Sequence, residues 1–210
     1  MLNVYFCTVE EKEKEIILAA SEVFMRLGIK SVNMDDISRQ LGISKKTLYK
    51  YVSDKNDLVK KVVQIMMDME DEAILEIQSQ NLNAIEENLE IMKYIVGMLN
   101  NLHPSVMFDM EKYHPTVMKE MTNCRHSAIT TCILSNLDRG VEEGYYRENL
   151  DTNIISQIYL HSTDVILDDS IINSSKLDFS ERFKEFFRYH IRGIASEKGI
   201  AYLKEKFKKN

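Results

Sequence analysis

The chain has 210 residues, 44% of them hydrophobic and 29% charged, and its 33 acidic against 27 basic side chains leave a formal net charge of −6. That is an ordinary balance for a water-soluble chain with room for one or two domains, and no apolar run approaches the ~18 residues of a membrane span. The opening stretch, MLNVYFCTVEEKEKE, has no basic region leading into an apolar stretch and a small-residue cleavage site, so no secretory signal is expected and a cytoplasmic location is the default. With only two prolines, seven glycines and little strand-like alternation, the sequence predicts an all-α fold.

Residues 10 to 28 predict a first helix, with Ile16, Ala19, Ala20, Val23, Phe24 and Leu27 at helical spacing and Gly28 at its end. Asn33 to Lys55, NMDDISRQLGISKKTLYKYVSDK, then reads as two short helices joined by a tight turn. Asn33 is the N-cap of the first, with Asp36 as its reciprocal capping partner. Gly42 supplies the left-handed residue that ends it. Ser44 caps a second helix running to about Tyr51 or Val52. Ile37, Leu41, Ile43, Leu48 and Tyr51 are the apolar positions, and the small Ser38 lets the helices approach. This is the spacing of a helix-turn-helix, whose second helix enters the DNA major groove.

Charge is concentrated there. Residues 1 to 60 carry ten basic and nine acidic groups, whereas residues 39 to 61 carry seven basic against two acidic, a local net of +5 on an acidic chain. Phosphate contacts act within a Debye length, so the local value governs. Lys45, Lys46, Thr47, Tyr49, Lys50 and Tyr51 are the candidate contacts, a set of cations, a hydroxyl and phenols that suits phosphates and base edges together. The residues alone do not rank Lys45, Lys46 and Lys50 as base readers. Asn33 and the helix it caps offer backbone N–H groups to a phosphate. Tyr51 also sits at a core position of the motif, and packing is an equal reading for it.

The segment ISRQLGISKKTLYKYVSDKNDLV resembles the DNA-binding signature of the tetracycline-repressor (TetR) family. Leu48, Tyr49, Val52, Lys55 and Leu58 occupy signature places, while Ser38 and Tyr51-Val52 depart mildly from the usual alanine and phenylalanine. The resemblance is strong over residues 10 to 60. It implies phosphate contacts for Thr47, Tyr49, Tyr51 and Lys55, and a homodimer that presents two recognition helices to a pseudo-palindromic double-stranded operator. It also implies a DNA-binding domain at 1–54 followed by a helical ligand-binding and dimerisation domain at 55–210. Repression is the family's default, with release by a small effector.

Beyond Asp54 a long helix is expected to about Gln80, then one over 84–102, a short one in SVMFDMEKY, and a long one from Thr116 to about Glu143. The two His-Pro pairs at 103–104 and 114–115 bracket the short helix. GVEEGYYRENLD is a break, and its Gly-aromatic-Arg-acidic pattern again resembles the family. The last large helices are expected at 151–172 and 178–194, joined by SSKLD, with a basic amphipathic tail over 198–210. Their apolar surface is wider than one core stripe requires. In the TetR family this pair forms a four-helix bundle with its two-fold mate, and Ile158, Val165, Phe183, Phe187 and Ile191 are the expected interface residues.

Nine methionines between Met66 and Met121 suit a deformable apolar pocket, although any one of them is more simply a core filler. The family's habit adds weight to a lipophilic effector site, with Met69, Met92, Phe108, Met121 and Tyr159 as its candidate lining. A regulator with no small-molecule inducer, tuned by a protein partner, is the alternative; a filled core would favour it and an empty apolar cavity would favour the effector. No catalytic residue, cofactor or metal site is expected: G-x-S-x-G, Gly-rich phosphate-loop and H-E-x-x-H patterns are missing, and Asp164, Asp168, Asp169 and His161 read as an exposed face. Cys7, Cys124 and Cys132 have no C-x-x-C spacing and read as reduced thiols.

Overall fold

The computed structural model describes residues 9–103, 105–167 and 178–208. Among the described residues ten helices follow one another: α1 (Val9–Leu27), α2 (Met34–Gln40), α3 (Lys45–Leu48), α4 (Lys55–Gln78), α5 (Ala84–Asn100), α6 (Val106–Tyr113), α7 (Pro115–Glu142), α8 (Thr152–Leu167), α9 (Phe179–Ile194) and α10 (Glu197–Lys208). Among the described residues the β-structure is a single bridge between Tyr146 and Ala195. The all-helical class read from the sequence is therefore the observed one. Cys7, Pro104, Asp168 and Asp169 lie outside the described residues, as do residues 168–172 of the expected eighth helix and most of the SSKLD loop.

The residues group into two compact units, one of 1–72 with 101–123, the other of 73–100 with 124–210. The expected division at 54/55 falls at the start of α4, whereas this grouping keeps α4 through Glu72, α6 and the start of α7 with the N-terminal helices. In the first unit, Ile16, Ile17, Ala20, Val23 and Phe24 of α1 form the stripe that spacing predicts, and they are buried with Ile37 of α2, Leu48 of α3 and Leu58, Val59 and Val62 of α4. Met110 of α6 and Val117 of α7 join the same core.

The second unit sets α5 and α8 against α9. Its core holds Ile85, Leu89, Ile133, Leu137, Tyr159, Phe187, Ile191 and Ile194. A polar network is buried at one end. The Tyr146 hydroxyl donates to the Asn136 Oδ1 (2.9 Å) and lies 3.1 Å from the Ala84 carbonyl, while Asn88 Nδ2 donates to both Asn136 Oδ1 (2.7 Å) and the Tyr146 oxygen (3.0 Å). Asn136 Nδ2 donates to Glu87 (2.7 Å), whose carboxylate is bridged by Arg139 at 2.6 Å. Buried polar groups cost stability unless each finds a partner, and here the members satisfy one another.

His190 differs from these. It is buried, its Nε2 has no hydrogen-bond partner among the described residues, and its ring lies 4.6 Å from that of Tyr159. Burial pushes its imidazole down to about 4. The unfolded chain titrates near 6.5, so between these values it takes up a proton that the folded chain refuses, and stability falls as pH drops through that window. From pH 6.5 to pH 5 this group should remove about 2 kcal/mol. Replacing His190 with Phe should flatten that part of the stability curve in urea unfolding, and an unchanged pH dependence would contradict the assignment.

Candidate nucleic-acid interface

Local hydrogen bonding sets the two helices of the motif. The Asn33 side chain accepts from the N–H groups of Asp35 (2.9 Å) and Asp36 (3.0 Å), and the Asn33 N–H donates back to the Asp36 carboxylate (3.0 Å). Gly42 turns the chain at φ +65°, and the Ile43 N–H donates to the Ser38 carbonyl at 3.0 Å. Ser44 Oγ then accepts from the Thr47 N–H at 3.0 Å. The α-helix proper spans Lys45–Leu48, and the Lys50 and Tyr51 N–H groups reach back three residues, to Thr47 (3.2 Å) and Leu48 (3.0 Å). The expected helix to Tyr51 or Val52 is thus one α-turn followed by a tighter turn.

The candidate contacts separate by position. Lys46, Tyr49 and Lys50 are exposed, and neither lysine has an ion pair among the described residues. Lys45 is exposed but holds Asp35 at 2.9 Å, which cancels much of its field. Thr47 is half-buried, its hydroxyl 2.8 Å from that of Ser44. Tyr51 is half-buried against the core, and its carbonyl accepts from Lys61 Nζ at 2.5 Å. Asn33 spends its side-chain oxygen on the N–H groups of its own helix, beside the carboxylates of Asp35 and Asp36. The Asp35 and Asp36 N–H groups are thus already engaged within the cap.

Lys55 is turned inward. Its ammonium donates to the Val32 carbonyl at 2.5 Å, and burial lowers its pKa against the opposing fields of Asp109 and Asp36. The phosphate role implied for it is therefore not the one this side chain plays in the free protein. Lys55 instead fastens the loop between α1 and α2. Asp109 of α6 fastens the same loop from its other side: its buried carboxylate accepts from the N–H groups of Ile29 (3.1 Å) and Lys30 (2.9 Å). Gly28 begins that loop at φ +80°, and a Cβ there would stand 2.5 Å from Ser105 Oγ. Asn56 Oδ1 and His114 Nδ1, 2.7 Å apart, add a further tie.

A sequence profile described as "Bacterial regulatory proteins, tetR family" matches residues 16–62, the span of this motif and the helices that frame it. The HTH-type transcriptional activator FasR of Mycolicibacterium smegmatis is 37% identical over 59 residues, 28% of this chain and 27% of that protein. A transcriptional regulator from Cytophaga hutchinsonii shares the fold, with a TM-score of 0.70 at 16% identity over 88% of this chain and 99% of that one. Residues 16–62 carry the DNA-binding region of the TetR family. A second solved structure, the transcriptional regulator FadR from Bacillus subtilis in complex with stearoyl-CoA, aligns with a TM-score of 0.62 at 19% identity, covering 86% and 98% of the two chains. The chain spans 27% and 54% of the lengths of two curated relatives that it matches.

The C-terminal candidates fall in two places. Ile158 and Val165 are exposed on α8 and join Ile154, Phe186 and Tyr189 along an open apolar groove. Phe183, Phe187 and Ile191, expected at the same interface, are instead buried in the core of their own unit. Ile154 and Tyr189, 57% and 79% exposed, lie along the groove instead. Asp164 pairs with His126 at 2.9 Å, and no group of three metal-ligating side chains forms among the described residues.

The effector candidates also separate. A largely apolar cavity of about 120 Å³ in the second unit is lined by Met92 and Tyr159 with Ile91, Ile95, Ile129, Ile133, Phe183 and Phe187. Met69, Phe108 and Met121 are in the first unit and do not line it. Met69 and Phe108 are exposed. The walls are isoleucine more than methionine.

Exposed Lys46 and Lys50 should each contribute to duplex DNA binding. Replacing either with Ala should lower affinity and reduce the slope of log K against log salt by about one unit where it contacts phosphate. Asp35→Asn, which frees Lys45, should raise affinity at low salt. A Lys46/Lys50 double alanine that binds duplex DNA as tightly as wild type would exclude this surface as the interface.

Proposed function

We propose that this protein is a homodimeric transcriptional regulator that binds a pseudo-palindromic operator through residues 33–52 and acts as a repressor released by a small lipophilic ligand. The observation that carries the DNA-binding part is the doubly capped helix-turn-helix with Lys46, Tyr49 and Lys50 held outward from a packed core. Its work in the presence of DNA sets the cytoplasm as its place.

The groove of α8 and α9 supports the dimer. Ile154, Ile158, Val165 and Tyr189 form a contiguous apolar surface of the kind that marks a protein contact, and two-fold pairing covers it with its own copy. A two-fold axis through that pair would present two recognition segments to half-sites about one helical turn apart. The apolar cavity favours a small-molecule effector over tuning by a protein partner alone. The solved relative carrying stearoyl-CoA shows an acyl compound bound to the same fold, which supports a lipophilic ligand here. Release requires the ligand to bind one conformation more tightly than the other; equal affinity for both shifts nothing.

Ile158→Glu tests the assembly and the function together. It places a charge at the centre of the apolar groove, so sedimentation should show dimer converting to monomer, and affinity for a two-half-site duplex selected from a random pool should fall to that for one half-site. The variant should keep its melting temperature at concentrations where wild type is monomeric, because Ile158 is exposed in the single chain. A wild-type monomer at micromolar concentration, or no selection of any duplex, would refute the proposal.

A further inference from the structure

The 120 Å³ cavity has a chemical signature beyond its apolar walls. Among the residues that line it, Arg125 is the charged one. Most of the polar lining groups are engaged. The Thr163 hydroxyl donates to the Leu160 carbonyl (2.6 Å), Asn88 Nδ2 belongs to the Tyr146 network, and the Cys132 sulfur accepts from Gln78 Nε2 (3.6 Å). Burial pushes the Cys132 thiol up to about 11, so it carries no charge.

Tyr159 differs. It is 8% exposed and its ring packs against Phe186 and His190, yet its hydroxyl makes no hydrogen bond among the described residues. A buried phenol ordinarily finds a partner, and one that faces a cavity without one is a donor in wait for a ligand acceptor. Burial also raises its pKa, which keeps the hydroxyl protonated. Arg125 of α7 and Tyr159 of α8 both line this one cavity. One small molecule can answer to both groups.

We propose that the cavity takes a compact monocarboxylate, its hydrocarbon body against the isoleucine walls and its carboxylate accepting from the Tyr159 hydroxyl in the field of the Arg125 guanidinium. A guanidinium has five donors, so Arg125 serves a carboxylate in addition to any neighbour it already has. A cavity near ~150 Å³ accepts a benzene ring, which sets the hydrocarbon body at about six carbon atoms. The assignment rests on the ligand-release reading for its biological meaning, but binding itself is separable from release.

Calorimetry on the full chain with hexanoate and benzoate, against 1-hexanol and benzyl alcohol, tests it. The acids should bind roughly 10-fold or more tightly than the alcohols of matching body. Arg125→Gln should bring the acids to the level of the alcohols and leave alcohol binding unchanged. Arg125→Lys should keep part of the preference, and Tyr159→Phe should weaken the acids by roughly 10-fold. Circular dichroism checks that each variant folds; if Arg125→Gln does not, the wild-type acid-to-alcohol ratio decides. Alcohols that bind as well as acids, a loss of both classes in Arg125→Gln, or no saturation by any of the four at millimolar concentration would overturn the proposal. Acid binding with unchanged DNA affinity would keep the assignment and refute ligand release instead.

Discussion

The buried carboxylate of Asp109 is the constraint on which the first unit depends. It accepts two consecutive backbone N–H groups, from Ile29 and Lys30, in a loop that begins with a left-handed glycine. Two residues further on, the Val32 carbonyl receives the Lys55 ammonium. The loop is therefore held by an anion on its N–H side and a cation on its carbonyl side, each charge matched to backbone dipoles of opposite sign. Charge-assisted bonds of this kind are about twice as strong as neutral ones, and leaving either group buried without its partner costs about 1–3 kcal/mol. Because Asn33 caps α2 immediately after this loop, the position of the helix-turn-helix follows from it.

The same arrangement explains how a chain of net charge −6 offers a cationic face. Of the basic residues in the motif, Lys55 and Lys61 are consumed internally, by Val32, Tyr51 and Glu13, and Lys45 is held by Asp35. Arg39 and Lys60 are exposed but lie beside Asp36 (3.9 Å) and Glu120 (3.1 Å), so among the described residues of the motif Lys46 and Lys50, with the Tyr49 phenol between them in sequence, are the exposed lysines without an ion pair. A few well-placed cations suffice where base edges must also be read, since phosphate contacts position a protein and base contacts specify its site.

Helix ends and turn residues make the motif legible in the sequence. Asn33, Asp36, Gly42 and Ser44 each have one dominant use, and each is found in that use. The direction of a long side chain is not written in spacing. Lys55 is a surface lysine by sequence and a loop fastener in the structure, because Asp109, 54 positions away, makes an inward ammonium tolerable. That partner has a faint sign in the sequence: an acidic residue beside Met110 on the apolar side of a short helix. Arg125, spaced at helical intervals from Ile129 and Cys132, has a similar one. The C-terminal helices are harder to read for a different reason. A helix that buries one face in its own core and another in a partner shows a broad apolar band, and periodicity does not say which edge belongs to which. Phe183, Phe187 and Ile191 lie in the core, while Ile158 and Val165 stay outside.

That residues 44–52 lie in the major groove is the central claim, and methylation protection reports on it directly. Dimethyl sulfate modifies the guanine N7, which faces that groove. On a duplex selected for tight binding, the account predicts protected guanines in two clusters about one helical turn apart, with protection lost at one or more positions in the Lys46→Ala variant and the backbone footprint retained. Unprotected guanines beneath an intact footprint, or protection confined to the minor-groove adenine N3, would contradict it.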